Sequence, residues 1–206
     1  KPSEQEIRRQ QKTNTLILDD RFMVSTGLAI EQARHAVEQM AELAEENCGL
    51  SFDLFRSFDN KKADLLRENE IAIDRLEDRL RVYLLTLSGK NLADSDSKNI
   101  SSLLNMMTEF ERIGDYAVNI SECAQQLAEK DLSLSSGAMA EYNVITEAVS
   151  EIVQFACKTF SANDIKTAES IEPLEETVDL MQDMLKERHI ERLKEGECSV
   201  DVALPF

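Results

Sequence analysis

The chain has 206 residues, with 40 Asp or Glu against 23 Lys or Arg, and a formal net charge of −17 at pH 7. This excess of acid excludes the basic surface on which nucleic-acid binding depends, so we expect no nucleic-acid partner. With 42% hydrophobic residues, 6 Gly, 3 Pro and no Trp, the composition predicts a globular all-α fold.

Missing motifs exclude several further classes of protein. No GxxxxGK[ST], GxGxxG, HExxH or GxSxG segment occurs, so no nucleotide-binding loop or common hydrolase site is predicted, and we expect no enzyme activity. No run of about 18 apolar residues occurs, so this chain is not predicted to cross a membrane itself. The cysteines are far apart without a CxxC pair, which predicts reduced, buried thiols: Cys48, Cys123, Cys157 and Cys198.

Residues 1–25 are predicted to form a basic, extended lead-in to the first helix. Residues 1–14 carry Lys1, Arg8, Arg9 and Lys12 against Glu4 and Glu6, a local reversal of the overall charge. Short basic segments follow membrane helices on their cytoplasmic side, although a solvated terminus has the same composition. Residues 15–25, TLILDDRFMVS, are expected to be extended. Because the first residue is not Met, we expect a part of a longer polypeptide.

Two long helices are predicted next, over residues 26–58 and 60–87. In the second, Glu70 and Asp74 are one helical turn apart within ENEIAIDRLEDRL, and Asp78 follows one turn later. Like charges at this spacing repel each other unless a cation or a basic side chain neutralises them. The apolar stripe of the first helix has helical spacing and comprises Ile30, Ala33, Val37, Met40, Ala44, Cys48, Ser51 and Phe55.

A third helix is predicted to continue to about Lys130, after a polar loop at residues 90–99. Its acidic side carries Glu111, Asp115, Asn119 and Glu122, at steps of one turn. Oxygen donors one turn apart can bind a hard cation, but a solvated acidic face has the same spacing. The opposite stripe is predicted to face inward and comprises Leu103, Met106, Met107, Phe110, Gly114, Ala117 and Ser121.

The pattern of the first two helices repeats after a linker at residues 131–137. Helices are predicted over 138–160 and 171–194, and Pro173 suits the first turn of the latter. Glu175 and Asp179 lie 105 residues after Glu70 and Asp74, since 175 − 70 and 179 − 74 both give 105. The same offset joins further pairs without a gap: Phe55 and Phe160, Ala63 and Ala168, Leu66 and Ile171, Ile73 and Val178, Leu80 and Leu185.

The segment ERIGDYAVNI, residues 111–120, resembles the signature of the PhoU family, regulators of phosphate uptake. That resemblance implies a bundle of two three-helix repeats, here residues 26–130 and an incomplete 138–206 that lacks its third helix. It also implies that ExxxD pairs bind metal ions such as Fe, Zn or Mn. On this reading Glu70, Asp74, Glu111 and Asp115 hold one cluster, and Glu175 with Asp179 hold half of a second.

The segment TGLAIEQAR, residues 26–34, together with the lead-in, resembles the junction before the PhoU-like tail of bacterial sodium/phosphate cotransporters. This implies a cytoplasmic regulatory domain tethered to the inner membrane by a transporter in the same polypeptide. Two alternatives remain: a free-standing PhoU regulator that contacts a separate transporter or a sensor kinase, and a metal-free helical scaffold. In each case an incomplete second repeat would expose apolar surface that a second copy of the chain could cover.

Overall fold

The computed structural model describes residues 18–196, and within them every regular element is helical, which confirms the predicted all-α class. The long helices begin and end within about two residues of the predicted bounds, except that the third begins at Asp94, inside the predicted polar loop at residues 90–99. They are α1 (Thr26–Arg56), α2 (Asn60–Ser88), α3 (Asp94–Glu129), α4 (Ser136–Ala162) and α6 (Glu172–Glu195), with a single turn, α5 (Ile165–Ala168), between the last two. None of these helices is both long and apolar enough to cross a membrane.

The described lead-in corrects one prediction, because Asp20–Val24 forms a 3-10 helix rather than extended backbone. The Asp19 carboxylate accepts a hydrogen bond from the backbone N–H of Arg21 at 2.9 Å and so caps this turn. The Arg21 Nε atom also donates to Asp19 Oδ2 at 2.7 Å. Local capping by Asp19 therefore outweighs the apolar pattern that predicted a strand-like segment. The basic residues 1–14 and Cys198 lie outside the described residues.

The chain divides into two compact units. The first comprises residues 18–44 and Glu68–Asp115, and the second comprises Glu45–Arg67 and residues 116–196. All eight predicted stripe residues of α1 are buried, as are six of the seven predicted for α3, with only Met106 half-exposed. Fully buried apolar side chains fill the first unit, among them Val37, Met40, Ile73, Leu80, Leu84, Ile100 and Met107.

The core of the second unit joins segments of α1, α2 and α3, and α4 packs against it. Tyr142 on α4 stacks on Phe55 with ring centroids 4.7 Å apart, and its hydroxyl donates to the Phe52 carbonyl at 3.3 Å. The thiols of Cys48 and Cys157 are buried and form no disulfide, as predicted, whereas Cys123 is only half-buried. Burial raises the pKa of Cys48 to about 11. The buried cluster comprises Leu54, Phe55, Ala63, Leu66, Ala117, Ala124 and Leu127.

One helix start lies at the offset of the proposed duplication, although α2 is continuous where the second half has α5 and then α6. Asn60 begins α2 and Ile165 begins α5, a separation of 165 − 60 = 105 residues. The equivalent side chains differ in burial, because Ile73 is fully buried whereas Val178 is only half-buried. No residue of α6 is buried, and Pro173 lies in its first turn as predicted. The boundaries of the two repeats stay a prediction.

Candidate functional site

The α2 helix places Glu70 at the edge of its buried face. Asn69 and Ile73, which both lie on the same flank of Glu70 on the helix surface, are 7% and 0% exposed. Glu70 is consequently half-buried, whereas Asp74, one turn later, is exposed. The burial of Ile73 therefore fixes where the first carboxyl of this ExxxD pair lies.

The α3 helix likewise places its own ExxxD pair at the edge of its buried face. Phe110 and Ala117 are buried in the inward stripe. Glu111 beside Phe110 is half-buried, and Asp115 is exposed. The amphipathic spacing of α3 thus leaves both carboxylates at the margin of its buried face, as the sequence predicted.

Gly114 is a point of close approach between the two helices. A Cβ atom at this position would lie 3.0 Å from Glu70 Oε2 and 3.1 Å from Ile73 Cδ1. Both distances are shorter than ordinary van der Waals contact, so only glycine leaves the Glu70 carboxyl its present position. The sequence placed Gly114 in the inward stripe but did not reveal that it makes room for a carboxyl group.

Electrostatics distinguish Glu70 from the other acids. Burial, followed by the nearby charges of Asp74, Asp115 and Glu111, raises the pKa of Glu70 to about 7 from 4.5. Burial also raises the pKa of Glu111, with Asp115 as the largest charged neighbour and Glu77 next. The structure therefore brings together the four carboxylates that the sequence predicted, and adds Glu77, which the sequence did not single out.

The Glu70 Oε2 atom is buried and has no hydrogen-bond donor among residues 18–196. Its carboxyl lies within hydrogen-bonding reach of the Asp115 carboxyl, a contact that forms only when one of the two is protonated. Nearby arginines pair with other acids, since Arg81 contacts Glu77 and Arg112 contacts Glu109 on the same helix. The carboxyl pair is thus a place where a proton or a cation relieves repulsion.

Within residues 18–196, no group of three or more His, Cys, Asp or Glu side chains is arranged to hold a metal ion. The second predicted pair, Glu175 and Asp179, is exposed on α6 in the second unit. His35 is exposed and lies between two acids of its own helix, 3.0 Å from Glu38 and 3.6 Å from Glu31. The first unit alone therefore gathers the acids predicted to act together.

Comparison with known proteins relates the segment that contains α2 and α3 to one family. Residues 37–124 match the model of the PhoU domain, and this range contains all four clustered carboxylates. The chain is 23% identical over 171 residues to the phosphate-specific transport system accessory protein PhoU homolog 1 of Thermotoga maritima, covering 82% of this chain and 73% of the relative.

Two shorter matches agree with that family. Accessory proteins of the same description from two strains of Xylella fastidiosa are each 31% identical over 84 residues, which is 41% of this chain. The match spans only 35% of the length of one and 36% of the other. No solved structure is a significant match. The sequence resemblance to the PhoU domain is therefore confirmed for residues 37–124 of this chain.

Proposed function

We propose that this chain is a regulatory module of phosphate transport that binds a metal ion between α2 and α3. The observation that carries the proposal is the buried, unpartnered Glu70 Oε2 atom beside the Asp115 carboxyl, within the segment that matches the PhoU domain. The role in phosphate transport rests on the relatives, which are described as accessory proteins of phosphate-specific transport systems. The proposed role is regulatory and involves no catalysed reaction.

The donor set suits a hard or borderline cation. Four carboxylates supply only oxygen, the ligand that Mn²⁺ and iron bind readily and that Zn²⁺ accepts in some sites. Glu70 would be the fixed ligand, because its side chain is half-buried and its Oε2 atom lies close to Gly114. Asp74 and Asp115 are exposed and could rotate toward it, and binding requires such rotation because no three carboxylates converge now.

A bound cation would supply positive charge and a link between two helices. The negative charges around Glu70 and Glu111 destabilise their ionised forms, so neutralisation would favour the close α2 and α3 packing at Gly114. Regulation would then follow from how firmly these helices are held together. Glu175 and Asp179 would bind a second ion only if carboxylates from another helix completed their site.

Elemental analysis tests the site. We expect the purified chain to contain stoichiometric Mn, Fe or Zn, and the double variant Glu111→Gln with Asp115→Asn to lose most of it while keeping its helical circular dichroism. The matched control is Glu109→Gln with Glu122→Gln, which removes the same charge from exposed positions of the same helix. Equal metal content in all three proteins would refute the site.

The transporter context has two candidates. The relatives are described as accessory proteins, which favours a free-standing regulator. The basic residues 1–14 and the TGLAIEQAR segment favour the tail of a sodium/phosphate cotransporter, held at the inner membrane. An antibody raised against this chain distinguishes them on separated membrane and soluble fractions. A band much heavier than 23.3 kDa that resists a high-salt wash supports the cotransporter, and a soluble band near that mass supports the regulator.

A further inference from the structure

Charged side chains meet between α4 and α6 in the second unit, apart from the proposed metal site. Glu141 Oε2 on α4 accepts a hydrogen bond from Arg192 Nη1 at 2.6 Å, and Glu141 Oε1 accepts one from Arg188 Nη1 at 3.3 Å. The side chains of Glu141 and Arg192 are only 17% and 15% exposed, whereas that of Arg188 is 54% exposed. Together with His189 these residues form the α4–α6 cluster, and Arg188 is its edge toward solvent.

The first repeat has apolar residues where the α4–α6 cluster has polar ones. At the predicted offset of 105 residues, three members of the cluster correspond to fully buried apolar residues of the first unit. The corresponding pairs are Ala36 and Glu141, Leu84 and His189, and Leu87 and Arg192. An apolar core is usually at least as stable as a buried ion pair of similar volume. Packing alone therefore does not account for the charges between α4 and α6.

Two nitrogen atoms of the cluster have no hydrogen-bond partner among residues 18–196. They are His189 Nε2 and Arg192 Nε, and both are buried. Arg192 Nε is always a donor, and His189 Nε2 donates in one tautomer and in the protonated ring. Each oxygen of the Glu141 carboxylate already accepts from one arginine. An ion pair that only joins α4 to α6 does not explain the two further nitrogens, which point to an additional acceptor.

We propose that the α4–α6 cluster binds inorganic phosphate, and that the Glu141 carboxylate occupies the place of the ion in the phosphate-free chain. A tetrahedral oxyanion has more oxygens than a carboxylate, so it can accept from both guanidinium groups and also from Arg192 Nε and His189 Nε2. Guanidinium groups bind carboxylate and phosphate in the same fork-like geometry, so one can replace the other. Binding requires Glu141 to rotate toward solvent, because its carboxylate otherwise lies against both arginines.

The local charge favours this exchange, although the chain as a whole is acidic. Two guanidinium groups face a single carboxylate, so the cluster has an excess of positive charge that HPO₄²⁻ neutralises better than Glu141 does. The net charge of −17 repels anions at long range, but salt screens that repulsion beyond about 8 Å. The choice of phosphate among oxyanions rests on the proposed role in phosphate transport. Phosphate would then control how α6 is held against α4, which gives the regulatory module a direct sensor.

Isothermal titration calorimetry with inorganic phosphate tests the site. The full chain is titrated with a chelator present and at constant ionic strength, so that neither bound metal nor screening contributes. The wild type should bind phosphate, and Glu141→Gln should lower the dissociation constant by about tenfold, because the internal competitor loses its charge. Glu147→Gln changes an exposed acid of the same helix and should bind as the wild type does. Absence of binding by both the wild type and Glu141→Gln overturns the phosphate site and leaves the metal site standing. An unchanged or weaker affinity in Glu141→Gln overturns the exchange.

A variant with the residues of the first repeat separates binding from folding. Glu141→Ala with Arg192→Leu restores the side chains found at the equivalent first-repeat positions, so it should keep its helical circular dichroism and lose phosphate binding. Phosphate binding that survives in this variant overturns the site. Glycerol phosphate distinguishes a free ion from a phosphorylated partner. Because Glu141 and Arg192 are largely buried, this ester should bind more weakly than inorganic phosphate. Tighter binding of the ester would overturn inorganic phosphate as the ligand.

Discussion

The carboxyl group of Glu70 on α2 lies within hydrogen-bonding reach of the carboxyl group of Asp115 on α3. A hydrogen bond between two carboxyls needs one proton, and an arrangement without that proton leaves two negative charges side by side. Gly114 leaves the space for this contact, because any side chain there would displace the Glu70 carboxyl. A proton and a cation should therefore compete for the carboxyl groups of Glu70 and Asp115.

Stability of the metal-free chain should fall as the pH rises through neutrality. The pKa of Glu70 is raised from 4.5 to about 7 in the folded protein, so the folded state keeps a proton that the unfolded chain releases. The associated stabilisation is complete below pH 4.5 and is lost as the pH rises through about 7. Because the side chain is only half-buried, we expect a loss on the order of 1 kcal/mol.

Urea unfolding with a chelator, at about pH 5 and about pH 8, measures this loss. Glu70→Gln removes the titrating group, so this variant should gain stability relative to the wild type as the pH rises. Glu68→Gln alters an exposed acid of the same helix and should follow the wild type throughout. Identical pH dependence of the wild type and Glu70→Gln would contradict the buried proton.

Added Mn²⁺ should raise the melting temperature, and more so at high pH. At a free ion concentration of about 100 times Kd, the stabilisation is about 2.7 kcal/mol, or roughly 5–10 °C for a chain of this size. Below neutral pH the proton on Glu70 competes with the ion, so the shift should shrink. Differential scanning fluorimetry measures it, and chelation should reverse it. A shift of equal size in Glu111→Gln with Asp115→Asn would show that the ion binds elsewhere.

Alanine should stabilise the chain at one helical glycine and not at another. Gly49 lies in α1 with nothing within 4 Å of its hypothetical Cβ, so Gly49→Ala should gain about 0.5–1 kcal/mol from helix propensity. At Gly114 the added methyl meets Glu70 Oε2 at 3.0 Å and Ile73 Cδ1 at 3.1 Å. Overpacking of about 1–3 kcal/mol should cancel or exceed the gain there. Urea midpoints compare the two, and an equal gain at both sites would contradict the close approach.

Tyr142 should anchor α4 to the core of the second unit. Its ring stacks on Phe55 and lies edge-on to Phe52, with centroids 6.4 Å apart in the latter pair. Tyr142→Ala should cost about 3–5 kcal/mol through the cavity it leaves, whereas Tyr142→Phe should cost only about 1 kcal/mol through the lost hydrogen bond to the Phe52 carbonyl. Tyr116→Ala, at a residue 58% exposed, is the control and should change stability little.

Much of the fold follows from periodicity. The inward stripes of α1 and α3, and the bounds of every long helix except the start of α3, were predictable because apolar spacing reports which side of a helix is buried. The lead-in was not, because the Asp19 cap acts through a side-chain hydrogen bond that a hydropathy pattern does not report. The turn Ile165–Ala168 was likewise missed, since four residues are too few to show a helical period.

The candidate site, like the fold, was predicted from the sequence only in part. The sequence alone determined that Glu70, Asp74, Glu111 and Asp115 form two ExxxD pairs, because one helical turn sets their spacing. Tertiary structure decided that Glu70, and not its exposed neighbour Asp74, is the buried member with the raised pKa. It also decided that α2 and α3 approach each other closely at Gly114. Burial and the distance between helices depend on residues far apart in the chain, which local spacing does not encode.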